Sequence, residues 1–588
     1  MRIGSPDWGR MQAEQSFDAS AGGPRVRSHS VMTIRLASWI GGVSLAGLKA
    51  WMFRYQVSAD SISYLDMSDG VMPGFSFHRL INGVWSPLYP AVLGVWRRLL
   101  GVSPSNEIAY GHLLNVLLFI FAFVCFEFLL RSWFMWSIDI APRRVEDRPL
   151  VPIPQWTILI LAYSLFLWAS ISEISLEKLR PDMLMSGLLY LAVGILLRMK
   201  QQPFRWNHHI ALGLVLGIAF LAKAAMLPTG LVILACVVVV EKWQLRAMKM
   251  VAASAAIMLL ISSLYFVPLS RARGKFTMGE GGSFNYLVHV DGARPQWYLQ
   301  DPGSGRGSFL HTPQIIFGSP RTYAFPMSEV VTHPLRFDPS DWTQGVSTHF
   351  DLHRQLHAIV QTLPDFRAIL LPLCAFPLLI LILAYCARSK SEIAAALLRN
   401  WPLWLVGLAG CVMYAVVHVE PRYVGAFFLL FWFGIIAGFG LPRRASRAMA
   451  YLLAITALLP ICVLTVRHFR GDIRLARRPN IEAEAAADLQ RLGLHAGDRV
   501  GFISAGIQDF ALERITRVEI IAEVDRSRTA EFWSATPSTQ EQLLETMVSH
   551  GVTAVVASPP ESDPPRAPWM RLGDTRYWAW FPQVHGGR

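Results

Sequence analysis

Ionisable residues gather where an apolar chain would leave a membrane. Asp60, Asp66 and Asp69 fall within Ser58–Gly70, directly after the first long apolar stretch. Glu173, Glu177, Lys178, Arg180 and Asp182 lie between two later stretches, Lys223 lies between two more, and Glu420 and Arg422 share a short hairpin. Charges beside hydrocarbon are costly and mark function or paired structure. Together these residue types suit one chemistry. A carboxylate takes the proton of an attacking hydroxyl, cations stabilise a departing phosphate, and neighbouring helices guide an apolar carrier. Asp60 or Asp66 could be the base. Arg180, Lys223 and Arg422 could hold the phosphate, arginine through its fork and lysine as a point charge.

Each residue also has a structural use. Asp66 and Asp69 suit helix caps and turns. Arg180-Pro181-Asp182 suits a helix start with proline in its first turn. Lys223 could snorkel to the interface, Arg422 could pair with Glu420, and Trp85 and Tyr89 could be interfacial anchors.

The elements that position these residues follow from composition. The 588 residues are 53% hydrophobic and only 16% charged, against about 25% in soluble domains. Runs near 33–53, 112–131, 156–172, 182–198, 209–223, 226–241, 249–268, 366–386, 401–418, 422–440 and 447–466 predict about 11 transmembrane helices. Trp85–Leu100 is short and ends on Arg97 and Arg98, so it predicts an amphipathic interfacial helix. The net charge is +13. Its lysines and arginines concentrate in alternate connections, among them Arg143, Arg144 and Arg148; Lys242, Arg246 and Lys249; and Arg388, Lys390 and Arg399. By the positive-inside rule these are cytoplasmic, as is the N-terminus. Asp60, a large loop at 270–364 and the C-terminus are then expected on the outer face. No motif for binding nucleic acid is present.

The chain divides into a disordered, cytoplasmic stretch at 1–32, a transmembrane domain at 33–469 that includes the outer loop 270–364, and a soluble region at 470–588. The first 30 residues lack the apolar core of a removable signal peptide. In the soluble region, Ile481–Leu492 and Ser538–His550 read as helices, the second capped by Ser538 with Glu541. Arg499–Ser504, Val518–Val524 and Val552–Ala557 read as strands, giving a small α/β domain. The Gly303–Gly307 cluster reads as a loop, not a phosphate cradle. The six cysteines lie in or beside apolar runs, which supports neither a disulfide framework nor a thiolate metal site. In the large loop, Asn285, Tyr286 and His289 form the densest polar–aromatic cluster, suited to holding a sugar. The spacing of His349, His353 and His357 fixes no complete ligand set, so no metal is assigned.

Four features carry a resemblance: Asp60-Ser-Ile-Ser-Tyr64 in the first outer loop; Trp85-Ser-Pro-Leu-Tyr89-Pro before the interfacial helix; Arg180-Pro-Asp182 opening a helix; and the Lys223 loop, followed later by the large outer loop. In this order, over roughly 33–466, the chain resembles GT-C-class integral-membrane glycosyltransferases. It is similar to the protein O-mannosyltransferase and lipid A aminoarabinose transferase families, and to bacterial proteins with a mannosyltransferase-like membrane domain. The resemblance implies a GT-C-like fold in a bacterial inner membrane with a periplasmic active site. It implies transfer of a sugar from a polyprenyl-phosphate-linked donor to an envelope glycan, lipid or protein. Asp60 matches the general base of the class, and Asp182, or Glu173, the acid of the second outer loop. Tyr64, Arg180, Lys223 and Arg422 are the expected donor contacts. Ser61 stands where the mannosyltransferases carry a second acid, which argues against an acid pair or a divalent metal. A flippase for lipid-linked sugars and a non-catalytic envelope-assembly scaffold are the alternatives.

Overall fold

The computed structural model describes residues 24–74, 76–140, 150–293, 307–325, 331–387, 389–504, 510–560, 565 and 568–582. The stretch 1–23, Arg143, Arg144 and Arg148, positions 303–306 of the glycine cluster, and Arg388 lie outside them.

The membrane part is a bundle of long apolar helices. Helix α1 (Pro24–Met52) starts upstream of the expected Thr33. A ten-residue helix, α2 (Ala59–Ser68), carries Asp60, and α3 (Leu88–Leu99) packs across it. Then come α4 (Glu107–Ile140), α5 (Gln155–Leu167), α6 (Asp182–Gln201), α7 (Trp206–Ala222), α8 (Met226–Val240) and α9 (Leu245–Arg273). After the short α10 (Gly281–His289), the bundle resumes with α11 (Leu352–Leu370), α12 (Ala375–Cys386), α13 (Lys390–Arg399), α14 (Trp401–Ala415), α15 (Pro421–Ile436) and α16 (Ser446–Ala476).

Every run predicted to span has a helix, but the helices differ in reach. Among the described residues six are long and apolar enough to cross a membrane, or up to eight if each bent pair counts as one span. The pairs are Leu352–Leu373 with Ala375–Cys386, bent by 64°, and Lys390–Arg399 with Trp401–Ala415, bent by 76°. Helices α7, α8 and α15 are shorter. At 15 to 17 residues they extend about 23–26 Å, less than a hydrocarbon core of about 30 Å. All three have one end beside the candidate site.

Helices close on one another through small residues. A Cβ at Gly213 or Gly217 of α7 would stand 2.6 Å from Ser254 O or Ile261 Cβ of α9. One at Gly407 of α14 would stand 2.5 Å from Phe427 O of α15. Helix α3 turns one face into the bundle and leaves Val95, Leu99 and Leu100 exposed on the other, but its Tyr89 is not an interfacial anchor. Tyr89 is fully buried and donates to Asn115 Oδ1 at 3.3 Å, and Arg97 is buried as well.

The extramembrane part is a seven-stranded sheet. Its strands are β2 (Gln314–Phe317), β3 (Thr322–Ala324), β5 (Arg499–Ser504), β6 (Glu519–Val524), β7 (Ala554–Ser558), β8 (Met570–Arg571) and β9 (Trp578–Trp580). Strands β1 (Leu150–Pro152) and β4 (Gly440–Pro442) form a separate pair at the helix ends. The large sheet runs β2-β3-β6-β5-β7-β9-β8, with β5 parallel to both β6 and β7 and every other pairing antiparallel. Helices α17 (Ile481–Arg491), α18 (Phe510–Thr516) and α19 (Pro537–Ser549) accompany it. Thr536, not Ser538, caps α19, because Pro537 takes the first turn and the Thr536 hydroxyl accepts from Thr539 N at 3.3 Å. Strands β2 and β3 belong to the large loop expected at 270–364. Tyr323 pairs with Glu523 in antiparallel register and is buried, so loop and tail share one sheet. The loop is also narrower than 270–364, since α9 runs on to Arg273 and α11 begins at Leu352.

Candidate active site

Helix α2 begins where the Ser58 hydroxyl accepts from Ser61 N at 3.3 Å, which places Asp60 in its first turn. Ser61 is fully buried. Its hydroxyl also accepts from Leu179 N at 3.2 Å and so ties the 175–181 loop to α2. A residue read as a missing acid is therefore a fastening between two elements of the site.

That loop is set by a break in helical geometry. After Leu167 the chain winds into a π turn, Trp168–Ile174, which ends at Ser175 with φ 61°. Such turns occur often at functional sites, and positive φ is uncommon for a residue with a Cβ. The Ser175 hydroxyl accepts from Glu177 N at 3.2 Å, and Lys49 holds the Glu177 carboxylate at 2.8 Å. Glu173 stays inside the π turn, packed under Gly425 of α15. The loop then presents Arg180 and opens α6 at Asp182.

Five predicted residues meet. Arg180 Nη2 lies 3.5 Å from Asp60 Oδ2, and Arg422 Nη2 lies 3.5 Å from the same oxygen. Arg422 Nη1 is 3.6 Å from Asp182 Oδ2, and Lys223 Nζ is 2.5 Å from Asp182 Oδ1. Arg422 also holds Glu420, Nε to Oε2, at 2.5 Å. The two aspartates differ in access. The Asp182 side chain is 1% exposed and that of Asp60 27%, so only Asp60 opens to a substrate.

Aromatic rings complete the walls. Lys223 Nζ stands 3.9 Å from the centre of the Tyr423 ring, which stacks on Tyr414 at 5.0 Å. Tyr64 is buried between Trp85 and Tyr89, at 5.4 and 5.3 Å between ring centres. Burial, reinforced by Asp182 and Asp60, pushes its phenol well above the usual tyrosine range, so it stays neutral. Burial opposes ionisation of Glu420 too, but His418 and Arg422 outweigh it and hold the carboxyl well below the usual range. Lys178 borders the group, its ammonium lowered by burial and by Arg180 and Arg422. With Lys178, four cations face Asp60, Asp182 and Glu420, a balance that favours an incoming anion.

The predicted sugar-binding trio separates. His289 stacks face to face on His418 at 3.8 Å, and His418 lies 3.6 Å from Glu420. Asn285 instead donates to Gly281 O at 2.7 Å on its own helix. Among the described residues neither Asn285 nor Tyr286 bonds to the Asp60–Asp182 group. Sequence reasoning missed Tyr414, His418 and Tyr423, because rings in an apolar run read as membrane or core. The tight hairpin that brings Arg422 forward was the available signal. Asp66 and Asp69 are not simple caps: they enter a buried ion cluster with Arg97, Glu107, Arg514 and Arg517.

Several solved structures are similar to the chain. The chain is similar to ArnT from Cupriavidus metallidurans in the apo state, at 13% identity and TM-score 0.48 over 93% of this chain and 98% of that one. For ArnT bound to undecaprenyl phosphate the values are 14% and 0.47, over 94% and 100%. For the Archaeoglobus fulgidus oligosaccharyltransferase in complex with Zn and sulfate they are 12% and 0.47, over 89% and 67%. ArnT and the oligosaccharyltransferase are GT-C glycosyltransferases, the class that the motifs from Asp60 to Lys223 resemble. No protein-family model and no curated protein matches the sequence.

Proposed function

We propose that this protein is a membrane glycosyltransferase that moves a sugar from a polyprenyl-phosphate donor to an acceptor hydroxyl on the outer face of a bacterial inner membrane. One observation carries the reading: Arg422 reaches both Asp60 and Asp182, so an accessible carboxylate and a set of cations meet where short apolar helices end. In the reaction, the acceptor O–H proton passes to Asp60 as the oxygen bonds to the anomeric carbon. The bond from that carbon to the phosphate oxygen breaks, and its electron pair leaves with the polyprenyl phosphate. Arg180, Lys223 and Arg422 stabilise the charge that develops on the phosphate. Asp182 holds Lys223 and Arg422 in place. Tyr64 supports the donor side of the site as a neutral phenol. His289 reaches the acceptor side through His418. The acceptor is a glycan, a lipid or a protein of the cell envelope.

Purified protein in lipid nanodiscs, given labelled polyprenyl-phosphate sugars and envelope extracts as acceptor, tests this. Label passes to acceptor with the intact chain. Movement of the lipid-linked sugar across the bilayer with no transfer would favour a flippase and overturn the reading.

A further inference from the structure

In its first turn α2 carries Asp60; its far end enters a different cluster. Arg514 of α18 is 2% exposed, and its guanidinium spans three carboxylates: Asp66 at 2.6 Å, Asp69 at 2.7 and 2.9 Å, and Glu107 at 2.7 and 3.0 Å. Arg517, just past the end of α18, holds Asp69 at 2.9 Å and Glu107 at 2.8 Å. Arg97 of α3 closes the cluster on the same two acids, at 2.9 and 2.6 Å. From the outer loop, Thr332 donates to both oxygens of Asp66, through its hydroxyl at 2.8 Å and its N–H at 3.2 Å.

We infer that Arg514 and Arg517 are positioning residues for the transfer reaction, through which the C-terminal domain fixes the place of Asp60. The inference rests on the proposed function. A ten-residue helix extends about 15 Å and moves as one body. Its far end has little freedom: a Cβ at Gly94 of α3 would already stand 2.9 Å from Val71 Cβ just beyond it. Shifting the Asp66–Asp69 end therefore displaces Asp60 from Arg180 and Arg422, which it meets at 3.5 Å each. Arginine suits this role, because one rigid planar fork sets the relative placement of three carboxylates.

A cavity of about 470 Å³ adjoins the cluster, lined by Asp66, Asp69, Arg97, Arg514 and Arg517 among others, and gives a specific test. In the full chain, Arg514→Ala lowers kcat about 100-fold, as expected for a small misplacement at a reacting centre, with the KM for donor little changed. Low-millimolar guanidinium enters the space left by the side chain and restores most of the lost turnover; urea does not. A general loss of folding shows no rescue, since low-millimolar guanidinium restores no lost packing. Arg528→Ala, on the exposed face of the tail, leaves turnover unchanged. If Arg514→Ala fails to fold, Arg517→Ala is read in the same way, because its side chain is 22% exposed. A folded variant that keeps full turnover, or loses it without rescue by guanidinium, overturns the positioning role. Absence of transfer by the unaltered protein would overturn the proposed function instead.

Discussion

Lys223 reaches Asp182 at 2.5 Å, and the carboxylate it meets is almost wholly buried. The second oxygen of that carboxylate faces Arg422 at 3.6 Å. Breaking a buried pair by removing one partner strands a charge. Asp182→Asn therefore destabilises the membrane domain by about 3 kcal/mol, near the low end for such pairs because Lys223 keeps some access to solvent. Thermal unfolding in detergent measures it. Lys223→Met in the Asp182→Asn background recovers part of the loss.

Ser61 gives a milder prediction. Its hydroxyl joins α2 to the loop that presents Arg180. Ser61→Ala removes the hydrogen bonds of that hydroxyl to Leu179 N–H and to the Ser58 hydroxyl and leaves Leu179 N–H buried and unmatched, at a cost of about 1–2 kcal/mol. Ser61→Asp puts a second carboxylate beside Asp60 in a fully buried position and destabilises more. Unfolding midpoints rank the three proteins unaltered, Ser61→Ala, Ser61→Asp.

The His289–His418 stack predicts a pH dependence. Burial, with His418 alongside, pushes the His289 imidazole down from 6.5 to about 4, while Glu420 pulls weakly the other way. Above 6.5 the ring is neutral in the folded and unfolded states alike, and its stabilising contribution is complete. As pH falls from 6.5 towards 4, the unfolded chain binds the proton first and that contribution is lost. Tm of the intact protein falls more steeply over this window than Tm of His289→Phe. Equal slopes would show that the stack does not couple to folding.

Tyr323 tests the shared sheet. It comes from the outer loop, pairs with Glu523 and is buried. Tyr323→Ala costs about 3 kcal/mol, as for other large-to-small changes in a core. Limited proteolysis then cleaves the tail sooner, and not the loop alone.

The residues that meet at the site were legible because each sits where an apolar run stops. Asp60, Asp182, Lys223 and Arg422 share that position, and a charge there is costly enough to stand out. The partners of Asp66 and Asp69 were not legible. Arg514 lies 448 residues from Asp66, and Arg517 the same distance from Asp69, and nothing local marks either. Strands β2 and β3 were hidden for the same reason: three or four residues in a polar loop read as strand only once β6 lies beside them. Eleven runs overstate the helices long enough to span because run length counts apolar residues and not reach. Helices α7, α8 and α15 are mostly apolar yet only 15 to 17 residues long.

The most direct measurement compares Asp60→Asn with the intact protein for transfer of labelled sugar from polyprenyl phosphate. The Asp60 side chain is 27% exposed and its ion pairs are loose, so the substitution leaves the unfolding midpoint close to that of the intact protein. Turnover falls by about 1,000-fold, the scale of losing a general base. A folded Asp60→Asn protein that transfers sugar at the normal rate would contradict the assignment of Asp60 and the reading built on it.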